Sequence, residues 1–323
     1  MAKALIRPKA LRPGDTIGLI NPSGAVFETA PYEHAHRSML AMGYQVREAP
    51  HLHARYGHMA GTPQQRADDI HTLFADPTIA GVLAMTGGSG ANRVLPHLDY
   101  ALIERNPKFL GGFSDLTALI TAVHVKTGLV TFHSPLARSE WNAFSVANFQ
   151  AVVAPDGPPH TLRNDVLPSD ELAPSAGLPA TIRGGTAQGP LLGGNLAVLT
   201  SLAGTPYLPS FAGAVLFLED VNEYIYRVDR MLSTLLLGGV LDQVAGVVLG
   251  GFTDCKPSEG SYGTLTLDEV FADYFLPLKV PVYSGAMFGH VKRKLTFPLG
   301  VTARMDADAG TLTLLEHAVS RPI

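Results

Sequence analysis

The sequence predicts an α/β protein in two parts: an N-terminal domain built on a parallel sheet, and a smaller C-terminal domain of mixed α/β character. Three observations lead there. Short unbroken apolar runs, at 16–20, 80–85, 214–218 and 245–249, alternate with helical stretches, the pattern of strands covered on both faces. The chain has 323 residues, more than one core usually organises. Between residues 151 and 179 the texture breaks, with Pro155, Pro158, Pro159, Pro168, Pro174 and Pro179 crowding a segment without periodicity. The expected boundaries are 1–150 for the first domain, 151–182 for a proline-rich linker and 183–323 for the second domain.

The elements follow in order. Thr16–Ile20 is a strand ending in the loop Asn21-Pro22-Ser23-Gly24. A helix is expected over 32–42, closed by Gly43, and a strand over 44–48. Thr62-Pro63-Gln64-Gln65 announces the next helix: Thr62 caps, Pro63 takes the first helical position, and Gln65 reaches back to close a capping box. That helix runs to Asp76-Pro77. A third strand over 80–85 leads into Thr86-Gly87-Gly88-Ser89-Gly90, and a helix is expected over 92–97. Lys108-Phe109-Leu110-Gly111-Gly112-Phe113-Ser114-Asp115 reads as a buried strand, a tight turn and one serine at a helix start. The helix reaches about Lys126, and 129–132 is a strand.

In the second part, Gly193-Gly194-Asn195 opens a helical run through Leu202. The strand 214–218 ends in Glu219-Asp220, a helix is expected over 221–237, and 245–249 and 281–284 are strands. The segments 296–299 and 312–315 suggest small antiparallel strands.

Composition narrows the function. Hydrophobic residues make up 46% and charged residues 16%, enough to bury a sizeable core. The net charge is −4 with no basic run, which argues against a nucleic-acid partner. Cys255 is the single cysteine, so no disulfide framework forms within the chain. The first residues lack the apolar core of a signal peptide, and a cytoplasmic location is expected. The apolar stretch 233–252 suggests a membrane span. It carries Asp242 and Gln243 and is punctuated by glycine pairs, so a helix end, a turn and a buried strand are expected, and no membrane partner.

The chemistry centres on Ser114. At a strand-to-helix junction it has the placement of a nucleophile elbow, although Leu116 stands where the G-x-S-x-G pattern has glycine; the alternative is a plain helix cap. Glu219 ends a buried strand, where a carboxylate needs either a partner or solvent. Asp220 beside it should face the other way. Of twelve histidines, His290 stands out by lying just past a strand end between Gly289 and Val291. His133-Ser134 is a tempting pair, but neighbours on an extended chain face opposite ways. No metal site is expected: His34 and His36 are misplaced for one helical face, and His51, His53 and His58 sit in an Arg/Tyr/Gly loop with no carboxylate nearby. No cofactor is expected either, since the glycine turn 87–90 lacks dinucleotide spacing and a Walker lysine.

Taken together, the motifs resemble the LD-carboxypeptidases, a serine peptidase family that includes muramoyltetrapeptide carboxypeptidases and microcin C immunity proteins. The resemblance rests on Leu11-Arg12-Pro13-Gly14-Asp15-Thr16-Ile17; Ala60-Gly61-Thr62 with Arg66-Ala67-Asp68-Asp69; Gly87-Gly88 through Asn92-Arg93-Val94-Leu95-Pro96; Gly112-Phe113-Ser114-Asp115; Gly193-Gly194-Asn195-Leu196; Leu218-Glu219-Asp220-Val221; and Gly289-His290. It implies a triad of Ser114, Glu219 and His290, and an oxyanion hole from the N–H groups of Gly88 and Asp115. It also implies an active site in the cleft between the two domains, a homodimer and a murein tetrapeptide substrate, cleaved at the L,D-amide bond to a terminal D-alanine during peptidoglycan recycling. Arg227, Lys292 and Arg293 are candidates for binding the substrate carboxylate. The sequence departs from the family at Thr86, where arginine is usual, at Ser89 and over 291–294. The alternatives are a hydrolase of peptidyl- or aminoacyl-nucleotide conjugates, like the immunity proteins, and a two-domain small-ligand binding protein without catalysis.

Overall fold

The computed structural model describes residues 3–154, 160–164, 178–258 and 263–320. It forms two compact α/β units. The first is Met1–Pro158 with Thr296–Gly300 and His317–Ile323, and the second is Pro159–Leu295 with Val301–Glu316.

In the first unit, β1 (Thr16–Ile20), β2 (Gln45–Glu48), β3 (Ile79–Ala84), β4 (Phe109–Gly112) and β5 (Phe132–His133) pair in parallel in the order β5-β4-β3-β1-β2. Phe297–Pro298, which is β12 in chain order, adds antiparallel to β5. The unbroken apolar runs are explained by burial: every residue of β4 is enclosed, as is β1 from Ile17 onward. The chain leaves β1 towards β2, then returns to the other side of β1 for β3. The loops after β1 and β3 therefore diverge at a switch point, where the carboxyl ends of a parallel sheet leave a crevice. The helices are α1 (Ala30–Ala41), α2 (Pro63–Ala75), α3 (Tyr100–Arg105), α4 (Thr117–Thr127) and α5 (Ala143–Val153). The capping box of α2 forms as expected: Gln65 N–H donates to Thr62 Oγ1 at 3.2 Å, and Thr62 N–H donates to Gln65 Oε1 at 2.9 Å.

Several expectations are corrected. Residues 92–97 form two 3₁₀ turns, Ala91–Arg93 and Leu95–His97, because Pro96 cannot continue a helix begun at Asn92. The true helix, α3, starts after Asp99, whose side chain accepts from Leu102 N–H. α5 carries an Asn142 cap that the sequence reading passed over.

In the second unit the strands are β6 (Thr161–Arg163), β7 (Ala180–Arg183), β8 (Thr186–Asn195), β9 (Val215–Val221), β10 (Gly246–Thr253), β11 (Val282–Ser284), β13 (Thr302–Asp306) and β14 (Thr311–Leu314). Among the described residues they form one mixed sheet in the order β6-β14-β13-β8-β9-β10-β11-β7. Only β8-β9-β10-β11 run parallel. The helices are α6 (Leu196–Ser201), α7 (Ile225–Leu237) and α8 (Leu267–Phe275).

Gly193-Gly194-Asn195 was expected to open a helix, yet all three end β8 and α6 starts at Leu196. The missing side chain of Gly193 lets the strand press on the carbonyl of Phe217, so this glycine marks close backbone approach. The helix expected from 221 starts only at Ile225, because β9 runs through Val221 and Asn222 turns the chain at φ +57°. Of the expected 151–182 linker, residues 155–159 and 165–177 lie outside the described residues. Its described parts include the end of α5, β6 and most of β7. Among the described residues no helix is long and apolar enough to cross a membrane.

Candidate active site

In the first unit, three loops meet at the carboxyl ends of β1, β3 and β4. Ser114 follows β4 with its backbone at φ +65°, a left-handed conformation uncommon for serine. A strained serine on a strand-to-helix turn is what an exposed nucleophile requires, and a plain helix cap does not ask for it. The glycine turn lies against it: a Cβ built on Gly87 would stand 2.8 Å from Ser114 Oγ. Gly87 C=O accepts from Gly24 N–H at 3.1 Å, so in this trans peptide the Gly88 N–H points the opposite way.

Beneath the serine, the buried Asp115 carboxylate ties the loops together. It accepts from Ser23 Oγ–H, and from Ala91 N–H at 2.8 Å. Burial pushes this carboxyl above its ordinary range, against the pull of those hydrogen bonds and of the Arg66 charge. Ser23, Arg66 and the Asp115 side chain escaped the sequence reading as site residues. The available signals were a Pro-Ser-Gly loop at a strand end and an arginine on the buried face of an amphipathic helix. Arg138 also went unnoticed. Its exposed guanidinium donates to Thr86 Oγ1 at 3.3 Å, bringing an arginine to the glycine turn where the family usually supplies one in sequence.

In the second unit, strand alternation sorts the two acids at the end of β9. Glu219 shares a face with Phe217, and Asp220 shares the opposite face with Leu216 and Leu218. Phe288 packs edge-on against Phe217 with ring centroids 5.7 Å apart, which carries the loop 286–290 across the Glu219 face. Two residues beyond Phe288, His290 meets Glu219: the Nδ1–H donates to Oε2 at 2.8 Å. Glu219 is fully buried, whereas the imidazole is about one-fifth exposed. Gly289, at φ +86°, makes the approach possible, since a Cβ there would lie 2.5 Å from Glu219 Cγ. Thr253 Oγ1 donates to His290 C=O at 2.9 Å and anchors the loop to β10.

Asp220 has a different task. Its carboxylate accepts from Asn195 Nδ2 at 3.0 Å, Ala197 N–H at 3.0 Å and Val221 N–H at 2.8 Å, joining β9 to the start of α6. Burial first, and the charge of Glu219 as a further cause, raise its pKa to about 6.

The carboxylate-binding candidates are dispersed. Arg227 is exposed near the start of α7, with its guanidinium 5.5 Å and 5.9 Å from the ring centroids of Tyr224 and Tyr226 and 3.6 Å from Glu223. Lys292 and Arg293 follow His290 on its loop, exposed and half-buried respectively. The loop histidines, expected to have no carboxylate nearby, each have one: His53 bonds Glu48, five residues earlier in the chain, and His51 bonds Asp69, each at 2.8 Å. Among the described residues no group of three His, Cys, Asp or Glu side chains could hold a metal ion.

Family models match both parts of the chain: the LD-carboxypeptidase N-terminal domain over residues 17–134 and the LD-carboxypeptidase C-terminal domain over residues 188–305. The protein belongs to the LD-carboxypeptidase family. A probable murein peptide carboxypeptidase of Bacillus subtilis is 34% identical over 319 residues, covering 97% of this chain and 95% of that protein. Among solved structures, MccF in complex with glutamyl sulfamoyl guanosine superposes with a TM-score of 0.85 at 27% identity, covering 97% of this chain and 99% of the other. A muramoyltetrapeptide carboxypeptidase from Oxalobacter formigenes gives 0.78 at 28% identity, covering 94% and 99%.

Proposed function

We propose that this protein is a serine carboxypeptidase that removes the terminal D-alanine from murein tetrapeptides by cleaving an L,D-amide bond. The observation that carries the reading is the left-handed backbone of Ser114 at the end of β4, a strained conformation that lifts a hydroxyl clear of the sheet. In this mechanism His290 Nε2 takes the Ser114 proton as Oγ attacks the scissile carbonyl. Glu219, already bonded to Nδ1–H, holds the tautomer and stabilises the imidazolium. The N–H groups of Gly88 and Asp115 receive the oxyanion. His290 then protonates the leaving amine of D-alanine, and water releases the acyl group by the same steps in reverse.

Peptide recognition falls to cations that bind the free carboxylate: Arg138 beside the glycine turn, or Arg227, Lys292 or Arg293. The substrate class follows the muramoyltetrapeptide carboxypeptidase likeness, and peptidoglycan recycling in the cytoplasm by a homodimer is the setting that the family resemblance implies. A second reading, hydrolysis of aminoacyl-nucleotide conjugates, is favoured by the likeness to MccF bound to glutamyl sulfamoyl guanosine.

The test is mass-spectrometric. Wild-type protein and Ser114→Ala are incubated with a murein tetrapeptide and with an aminoacyl-adenylate analogue. Loss of one alanine by the wild type alone supports the main reading, with the variant down about 10⁴-fold or more in kcat. Cleavage of the conjugate alone selects the second reading. Turnover retained by Ser114→Ala removes the nucleophile assignment. A protein that cleaves neither and takes no fluorophosphonate label at Ser114 fits a ligand-binding protein.

A further inference from the structure

The geometry points to Arg66 and the Asp115 carboxylate as positioning residues that hold the oxyanion loops in register with Ser114, an inference that rests on the serine-hydrolase reading above. Arg66 is almost entirely buried, at 1% exposure, in the first turn of α2. A buried guanidinium is tolerated only when its donors are used. Here they are used on backbone carbonyls and a thioether: Nη1 donates to Pro22 C=O at 2.7 Å and to Gly90 C=O at 2.9 Å, Nε to Thr62 C=O at 3.4 Å, and Nη2 to Met59 Sδ at 3.5 Å. Pro22 lies on the loop after β1, and Gly90 lies on the glycine turn after β3.

Asp115 acts on the same two loops from the opposite charge. The Ser23 hydroxyl and the Ala91 N–H both donate to its Oδ2. The peptide unit joining Gly90 to Ala91 is therefore gripped at both ends, its carbonyl by a cation and its N–H by an anion. The peptide plane is thereby fixed in rotation two residues from Gly88. Across the crevice, Pro22 and Ser23 are held by the same two side chains. Gly24, the next residue, donates to Gly87 C=O and so sets the direction of the Gly88 N–H.

Both side chains bond the loops flanking the serine, and Asp115 is itself the residue after it. Lysine could not fully stand in for Arg66: one ammonium could serve Pro22 and Gly90, as Nη1 does, but could not also keep the contacts of Nε with Thr62 and of Nη2 with Met59.

The experiment compares wild type, Arg66→Lys, Ser23→Ala and Ser114→Ala, using whichever of the two substrates the wild type cleaves. Active sites are counted by fluorophosphonate labelling, and kcat is expressed per labelled site. For Arg66→Lys the expected result is a fall of about 10²-fold in kcat per labelled site, with KM within about threefold and an unchanged pH profile. Ser23→Ala, which deletes one hydroxyl and no charge, should fall by about three- to tenfold. A merely structural arginine would lower the melting temperature and the number of labelled sites while leaving kcat per site at the wild-type value; that outcome overturns the inference. Should Arg66→Lys fail to accumulate, an unimpaired Ser23→Ala overturns it alone. Wild type that neither labels at Ser114 nor cleaves overturns the hydrolase reading and this inference together. Wild type that labels and turns over beside an unimpaired Arg66→Lys removes only the inference.

Discussion

Gly289→Ala tests the Glu219–His290 pair most directly, because its effect can be worked out from the coordinates. Gly289 sits at φ +86°, and a Cβ there would stand 2.5 Å from Glu219 Cγ and 2.6 Å from Cδ, with Oε2 closer still. Two costs are separable. The left-handed backbone costs alanine about 1 kcal/mol relative to glycine. The overlap cannot be relieved by Glu219, which is fully buried at the end of β9, so the loop carrying His290 must retreat and the 2.8 Å hydrogen bond is lost. If Ser114, His290 and Glu219 act as the proposed triad, misplacing its orienting acid costs on the order of 10³- to 10⁴-fold in kcat. Gly213→Ala is the control: it lies in the same unit at φ +69° with nothing within 4 Å of the added Cβ, so it carries the backbone cost alone. Steady-state kinetics and thermal melting of both variants provide the assay. Gly289→Ala should lose both activity and several degrees of melting temperature, and Gly213→Ala only the latter to a smaller extent. A Gly289→Ala enzyme with wild-type kcat and a melting temperature matching the control would refute the argument that this glycine exists to let His290 reach Glu219.

Gly87→Ala places a methyl group 2.8 Å from Ser114 Oγ; turnover and the rate of fluorophosphonate labelling should each fall at least about tenfold, measured by stopped-time labelling, while melting changes little. Asp220 holds its proton up to about pH 6 when folded, against an ordinary value of 3.8, so the folded state binds more protons than the unfolded state across that window, and stability falls as pH rises through it. Relative to Asp220→Asn, which does not titrate, wild type should lose about 2 kcal/mol between pH 4 and pH 6 and level off above about pH 7. Urea unfolding from pH 4 to pH 8 checks this, and curves parallel throughout would contradict it. Arg138→Met should raise KM for the peptide about tenfold or more with kcat nearly unchanged if its guanidinium binds the substrate carboxylate, and kinetics of Arg227, Lys292 and Arg293 variants beside it identify which cation serves.

Much of the first unit was legible because its signals are local. Unbroken apolar runs, the Thr62-Pro63-Gln65 capping box and the serine after Gly111-Gly112 each report a backbone state set within a few residues. Where local signals conflicted, the sequence reading failed. β8 was hidden because its glycines serve close backbone approach, Gly193 to the carbonyl of Phe217 and Gly189 to that of Gly213, each more than twenty positions away in sequence. α8 was passed over although Thr266 and Glu269 spell a capping box.

The sequence by itself determined the alternation of strands and helices, the junction that raises Ser114, and the two acids at the end of β9, because these depend on hydrophobic pattern and turn chemistry. Tertiary structure decided which of those acids meets the imidazole. Strand pleating turns Glu219 and Asp220 to opposite faces, and the packing of Phe288 on Phe217, with the Thr253 bond to His290 C=O, brings His290 across one of them. Tertiary structure likewise joined Ser23, Arg66, Ala91 and Asp115, residues drawn from four separate stretches of the chain. Hydrogen bonds to a buried charge require convergence in space, and no pattern along the chain records that convergence.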